Sequence, residues 1–387
     1  MSKRKIRMGM IGGSQEAFIG AVHRCAAALD GHIDLVCGAF SSNPEKSKST
    51  GESLYLDPDR VYGSWQDMIE KEAALPDDVR MDCVSIVTPN HVHYGPAMMA
   101  MDHGFHVVLD KPLSFSSDEA KEMAAKVDET GVIFALTHTY TGYPMVKEAK
   151  HLVSSGKLGK VRKVYVEYPQ GWLATNLEQT GLKQAEWRTD PSRSGKGGCI
   201  GDIGTHAANM AEYVSGLKIS SIFAETKIFV DGRKLDDDAG MLLRFDNGAT
   251  GVLFSSQVAA GAENNIKVRV FGEKGGVEWE QNHNNTLTIK WLDKPIETYR
   301  TGGDKPYLSE HAMANLRLPG GHPEGYLEAF ANIYKNFALT IQAKLEGLEI
   351  DNSVYDFPTV YDGVRGMDFV DKVVESSDAG GKWVDLD

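Results

Sequence analysis

Ten consecutive residues, 197–206, read Gly-Gly-Cys-Ile-Gly-Asp-Ile-Gly-Thr-His, so four glycines surround the carboxylate of Asp202 and the imidazole of His206. Glycine lets a backbone turn sharply and come close to a ligand. The apolar segment 207–214 that follows has helical character, and a helix would put Asp202 and His206, four apart, on one face. That is an arrangement for proton transfer. If the helix begins near Asp202, the positive end of its dipole disfavours the imidazolium form of His206 and leaves a neutral ring able to accept a proton. A plainer reading makes Asp202 an N-cap and His206 a packed core histidine. Cys199 in the same stretch reads as a small buried side chain beside glycines, with a reactive thiol as the alternative.

A chain of 387 residues is long for one hydrophobic core, so two domains are expected. Charged residues at 25% and hydrophobic residues at 42% are ordinary for a soluble globular protein. The formal charge of -13, with no Lys/Arg-rich face, argues against nucleic acid as a partner. Cys25, Cys37, Cys83 and Cys199 include no C-x-x-C pair, which suits reduced thiols better than disulfides or a zinc site. The charged start Met-Ser-Lys-Arg-Lys leads into a strand-length run at 6–11 rather than a signal peptide, and no apolar run is long enough to span a bilayer. A cytoplasmic location away from membranes is the expectation.

The elements that must position the chemistry start with a buried strand at 6–11, then Gly12, Gly13 and a helical pattern at 19–29. Strands at 32–40, 84–88, 105–109 and 132–136 alternate with helical patterns near 44–50, 64–74, 94–103 and 116–130. Such alternation implies right-handed crossovers and an α/β, doubly wound parallel sheet. Residues 1–138 are therefore expected to form a Rossmann-type dinucleotide-binding domain. Its first turn, 12–20, has two adjacent glycines and a delayed third in place of G-x-G-x-x-G. Gly12, Gly13, Phe18 and Ile19 are the expected cofactor contacts there, at glycine backbone and a helix N-terminus.

The end of the second strand offers no acid to the adenosine ribose. Ser41, Ser42 and Lys46 can serve a 2′-phosphate instead, so NAD and NADP both stay open; alternatively 41–44 is only a turn capping the next helix, with Lys46 solvated. Thr88-Pro89-Asn90-His91-Val92-His93 lies at the carboxyl edge of the next strand, where open α/β sheets bind ligands. Thr88, Pro89, Asn90 and His93 are candidate cofactor contacts, and because His91-x-His93 lacks a third ligand at a recognisable spacing no metal is expected. Asp110-Lys111-Pro112 ends the following strand, and a lysine at that edge can reach a substrate oxygen and the nicotinamide ribose.

From residue 139 the pattern changes. A helical stretch at 145–155 is followed by strand candidates at 161–168, 220–229, 241–245, 250–256, 266–271, 276–280 and 286–290, several joined by turns such as Asp246-Asn247-Gly248. Residues 139–387 are read as an α+β domain with an open, largely antiparallel mixed sheet. His322-Pro323 reads as the start of a helix whose stripe Tyr326, Phe330, Ile333, Tyr334, Phe337 and Ile341 is core, and a last amphipathic helix covers 360–374.

Taken together and in this order, the glycine turn, Thr88-Pro89-Asn90 with His93, Asp110-Lys111-Pro112, Trp187-Arg188-x-Asp190-Pro191 and Gly201-Asp202-Ile203-Gly204-x-His206 resemble the glucose-fructose oxidoreductase and inositol dehydrogenase (Gfo/Idh/MocA) family. The resemblance implies NAD or NADP, a sugar or cyclic polyol as substrate, and a homodimer or homotetramer built on the open sheet. It makes Lys111, Asp202 and His206 catalytic, and Lys111, Trp187, Arg188, Asp202, His206 and His322 substrate-binding, with Asp110 and Lys111 also at the cofactor. Two departures stand out: Asp110 replaces the usual glutamate before the lysine, and Asn209 stands where many members have aspartate. The loop 13–20 and the segment His322-Pro-Glu-Gly-Tyr resemble a branch that includes glycoside 3-oxidoreductases, which favours NAD.

The expected reaction is oxidation of a secondary hydroxyl, with His206 taking the proton, Lys111 stabilising the alkoxide and Asp202 orienting His206. Two rivals are a glycosidase that uses retained NAD for a transient oxidation, and a non-catalytic nucleotide sensor on the same fold.

Overall fold

In the computed structural model, which describes residues 4–386, the apolar run Ile6–Gly12 is strand β1 and leads into helix Phe18–Leu29 (α1). Then come Ile33–Ala39 (β2), Pro44–Ser53 (α2), Trp65–Ala74 (α3), Cys83–Val87 (β3), Tyr94–Asp102 (α4), His106–Leu109 (β4), Ser117–Thr130 (α5) and Phe134–Leu136 (β5). The chain continues through Pro144–Ser154 (α6), Lys163–Pro169 (β6), Lys183–Arg188 (α7), Pro191–Ser194 (α8), Thr205–Ser215 (α9), Ile219–Lys227 (β7), Asp238–Phe245 (β8) and Thr250–Ser256 (β9). It ends with Lys267–Phe271 (β10), Gly275–Glu280 (β11), Thr286–Trp291 (β12), Glu297–Arg300 (β13), Glu310–Met313 (α10), Tyr326–Glu346 (α11), Val360–Asp378 (α12) and Val384–Asp385 (β14). Residues 1–3 and 387, the outer ends of the two expected domains, lie outside the described residues.

Two compact units result, the first from the described residues of Met1–Gly142 with Tyr326–Val364, the second from those of Tyr143–Gly325 with Arg365–Asp387. In the first unit five strands pair in the order β2-β1-β3-β4-β5, all parallel, as the strand–helix alternation predicts. Parallel strands are buried on both faces, and β3 is buried at every position. The aromatic stripe of α11 belongs to this core: Phe330, Ile333, Tyr334, Phe337 and Ile341 join Ile6, Met8 and Met10 of β1 and Val22 and Ala26 of α1.

In the second unit nine strands run β13-β12-β11-β10-β6-β9-β8-β7-β14. Only β6 and β9 pair in parallel; the other pairs are antiparallel. Alternation along β8 and β9 buries one face and leaves Leu242, Val252 and Phe254 exposed on the other. Helix α11 starts at Tyr326 and not at Pro323. The buried Glu324 explains the difference, because its carboxylate accepts from Arg317 N at 2.7 Å and Leu318 N at 2.9 Å and so binds 324 into the preceding loop.

Three histidines of the first unit, His93, His106 and His138, have their pKa lowered. Burial depresses all three, to about 4 for His106, where the Lys344 charge adds to it, and to about 3 for His138, where the Lys111 charge adds to it. A histidine with a depressed folded pKa contributes stability that is present above its unfolded value of 6.5 and lost as the pH falls toward the folded one. The thermal midpoint should therefore drop between pH 6.5 and about 4. His106→Asn, which keeps an acceptor for Ile133 N–H, should flatten that slope in calorimetry, and an unchanged slope would count against the assignment.

A second expectation concerns Gly20 in α1, where an added Cβ would lie 2.3 Å from Gly13 Cα. Gly20→Ala should cost about 1–3 kcal/mol, seen as a lower Tm, because backbone rather than a flexible side chain has to give way.

Candidate active site

In the first unit β1 ends on Gly12 and the turn continues through Gly13, with φ of 82° and 73°. A Cβ on Gly12 would meet Val87 O at 3.0 Å, and one on Gly13 would meet Val87 Cγ2 at 2.9 Å. Gly20, delayed in sequence, still performs the third-glycine task of letting helix and turn meet. A cradle that side chains would fill is what a pyrophosphate needs. Phe18, 72% exposed, opens α1 with Ile19 beside it, and Ala17 provides no side-chain cap to the N-terminal amides.

The loop after β2 caps the next helix. Ser41 Oγ accepts from Asn43 N at 3.1 Å and Asn43 Oδ1 accepts from Lys46 N at 3.1 Å, closing the start of α2. Lys46 also reaches across to Glu16 in the glycine turn, Nζ to Oε2 3.0 Å. Ser42 is exposed in the same loop.

Beyond β3, Thr88 precedes Pro89 and the buried Asn90, which begins a short turn. His93 is 0% exposed and sits between two carbonyls, with Nε2 2.8 Å from Thr88 O and Nδ1 2.8 Å from Pro112 O. Burial depresses its pKa against the pull of Asp110 and those carbonyls. Its ring thus ties the loop after β3 to the loop after β4. His91 is exposed while His93 is buried, and no trio of His, Cys, Asp or Glu is disposed to hold a metal among the described residues.

Asp110 Oδ1 accepts from Lys111 N at 3.0 Å and from Thr137 Oγ1 at 2.9 Å. Burial alone would raise this carboxyl, but His23, Lys111 and His93 together hold it down to about 2. Lys111 is half-buried, and its charge helps to depress His138, so the two side chains share a neighbourhood just past β4 and β5.

In the second unit the glycine motif is fastened by Asp236, whose Oδ1 accepts from Gly198 N at 2.6 Å and Oδ2 from Ile200 N at 2.8 Å. A Cβ on Gly198 would lie 2.3 Å from Asp236 O, which is why the position is glycine. Ile200–Gly204 is a π-helical turn that runs into α9, so Asp202 lies inside the first turn instead of capping it. Such turns are frequent at functional sites. Asp202 Oδ2 accepts from Gln257 Nε2 at 2.8 Å and pairs with Arg188 Nε at 3.3 Å. Arg188 in turn lies over the ring of Trp187 at 4.2 Å. His206 is 7% exposed, with the ring of Tyr168 6.4 Å away. Asn209 Oδ1 is buried without a hydrogen-bond partner. His322 is exposed, four residues before α11 begins at Tyr326. The Cys199 thiol is buried and pushed well up by burial, so it is an unreactive filler beside the glycines.

The sequence reading missed the polar side chains at the ends of the parallel pair β6 and β9. Trp172 Nε1 donates to Gln170 Oε1 at 3.0 Å, and Gln257 Nε2 approaches the same oxygen at 3.5 Å while donating to Asp202. Tyr168 Oη donates to Asn264 Oδ1 at 2.8 Å. Only the register Pro169↔Ser256 brings these residues together, and nothing local in the sequence announces it. His23 and His138 were missed for the same reason.

Residues 6–138 match the oxidoreductase family with an NAD-binding Rossmann fold, and residues 146–278 match the Gfo/Idh/MocA C-terminal domain. An oxidoreductase from Sinorhizobium meliloti is 45% identical with a TM-score of 0.88, over 99% of this chain and 100% of that one. An inositol dehydrogenase homolog from Azotobacter vinelandii, solved with NAD+, is 32% identical with a TM-score of 0.93, over 99% and 98%. Levoglucosan dehydrogenase of Pseudarthrobacter phenanthrenivorans is 25% identical, over 99% of this chain and 98% of its own. With both domain descriptions matched in order and relatives above 30% identity along the whole length, the chain belongs to the Gfo/Idh/MocA oxidoreductases, NAD-binding enzymes with a Rossmann domain followed by the family's C-terminal domain.

Proposed function

We propose that this oxidoreductase oxidises a secondary hydroxyl of a sugar, glycoside or cyclic polyol, with C3 of a pyranoside as the candidate carbon. The observation that carries the reading is Asp202, held by Arg188 and Gln257 on a π-helical turn four residues before the buried His206. Its charge is balanced by Arg188, and the neighbouring groups are amides, a phenol and indoles, a set suited to hydroxyls rather than to a charged substrate. Relatives support the class, since the Azotobacter vinelandii homolog was also solved with NADH and myo-inositol, and levoglucosan names the substrate of another.

Gly12, Gly13, Phe18 and Ile19 would hold the pyrophosphate, Ser41, Ser42 and Lys46 the adenosine end, and Thr88, Pro89, Asn90, Asp110 and Lys111 the nicotinamide end. His93 serves that end by fixing the Thr88 and Pro112 carbonyls. NAD held there would supply the hydride acceptor for the carbinol carbon. His206 takes the hydroxyl proton at an imidazole nitrogen as the C–H bond breaks and the C=O bond forms. Lys111 Nζ stabilises the alkoxide character that develops on the same oxygen. Asp202 orients His206 and a neighbouring hydroxyl, and Trp187, Arg188 and His322 contact the rest of the ring.

Lys111→Met and His206→Ala should each slow single-turnover hydride transfer by about two to four orders of magnitude while NAD affinity changes by only a few fold. Stopped-flow absorbance of NADH measures this, and near-normal rates in both variants would sink the assignment. Products separate the chemistry further: a carbonyl formed in step with NADH is expected. Release of an aglycone without net NADH would replace this reading with redox-assisted glycoside cleavage.

A further inference from the structure

Inside the first unit a line of polar side chains runs through an otherwise apolar layer. Ser85 of β3 lies with Oγ 2.8 Å from Tyr334 Oη on α11, and Tyr334 Oη is 2.7 Å from His23 Nδ1 on α1. The other ring nitrogen, His23 Nε2, has no hydrogen-bond partner, and Asp110 Oδ1 is 3.7 Å from it. His23, Ser85 and Tyr334 are each 0% exposed, and Phe330 and Tyr334 both meet the His23 ring edge-on, at 4.6 and 5.8 Å between centroids. Burying three polar groups there costs desolvation that apolar side chains of the same size would not incur. The return on that cost has to be orientation.

The carboxylate at one end sets the direction of the whole line. An ionised Asp110 only accepts, so His23 Nε2 carries its proton toward it; Nδ1 then accepts from Tyr334 O–H, and Tyr334 Oη accepts from Ser85 O–H. Burial pushes the Tyr334 phenol up and keeps it a donor. Asp110 Oδ1 already accepts from Lys111 N and Thr137 Oγ1, which fixes the backbone at the root of the Lys111 side chain. His23 is thus the third group converging on that oxygen, and it is anchored from behind by Tyr334 and Ser85.

We propose that His23 is a positioning residue for Lys111, acting through Asp110 and held in place by Tyr334 and Ser85. The proposal rests on the assignment of Lys111 to the reacting hydroxyl. The experiment uses the full-length enzyme with NAD and a polyol it oxidises, and compares His23→Leu, His23→Gln, Tyr334→Phe and Lys111→Met, singly and as His23→Leu with Lys111→Met. His23→Leu should lower kcat about tenfold or more while the Kd for NAD stays within about threefold. His23→Gln, whose amide can donate to Asp110 and accept from Tyr334, should recover most of the loss. In the Lys111→Met background His23→Leu should have no further effect, since the two act on one interaction. Tyr334→Phe removes only the anchoring hydroxyl and should give a smaller fall in kcat, which keeps a readout if His23→Leu does not fold. An unchanged kcat in His23→Leu, a full extra loss in the double variant, or failure of His23→Gln to recover a folded enzyme would each overturn the proposal. A Lys111→Met enzyme with normal kcat would instead overturn the assignment of Lys111.

Discussion

Much of the first unit depends on the contact between two residues that have no side chains. Helix α1 can rest on the β1 turn only because Gly13 and Gly20 both lack Cβ; a methyl on Gly20 would lie 2.3 Å from Gly13 Cα, where no atom fits. That approach fixes the height of α1 over the sheet and with it the place of His23. It also lets Arg24 donate to Gly13 O at 2.6 Å, so the turn is clasped from the helix side. The longer loop between the glycines costs nothing in this geometry, because what the fold requires is the meeting of the two backbones and not a particular count of residues between them.

Charge compensation organises the buried polar groups of both units. Glu72, 0% exposed, is met by Arg60, Tyr62 Oη and Met81 N. Arg233 is buried with Asp237 and Glu178, and its guanidinium also donates to the carbonyls of Leu173 and Thr175, which pins the loop after β6. Asp202 has Arg188; Asp236 has two backbone amides, yet burial still pushes its carboxyl up to about 6. A buried charge without such partners would neutralise itself by shifting its pKa. Among the described residues the site-bearing segments are therefore fastened by ion pairs and amide contacts, while the strands they hang from are fastened by ladders and apolar packing.

What the sequence made legible follows from how local each signal is. The alternation of strand and helix up to Leu136, the glycine turn and the motif around Asp202 and His206 are all written in short windows, and the structure has the same elements there with bounds that differ by up to three residues. The polar ends of β6 and β9 were not legible, because Gln170 and Gln257 meet only through a parallel pairing between strands far apart in the chain. His23 looked like one more helical residue until Tyr334, from α11, and Asp110, from the end of β4, were seen on either side of it. The π-helical turn escaped because its glycines and isoleucines read equally well as a loop or as a helix start. Strands β13 and β14 are short, and β13 is polar, so neither carries a hydrophobic period.

The discontinuity of the first unit has a consequence for how the protein is made. The strands β1 to β5 leave the ribosome long before α11 does, yet Phe330, Tyr334 and Phe337 fill the face that Ile6, Met8 and Met10 present. Until α11 arrives, that apolar face and the Ser85 hydroxyl lack the partners they have in the finished fold. A fragment that stops at Gly142 would keep the dinucleotide turn while losing the wall that Phe330, Tyr334 and Phe337 build behind it.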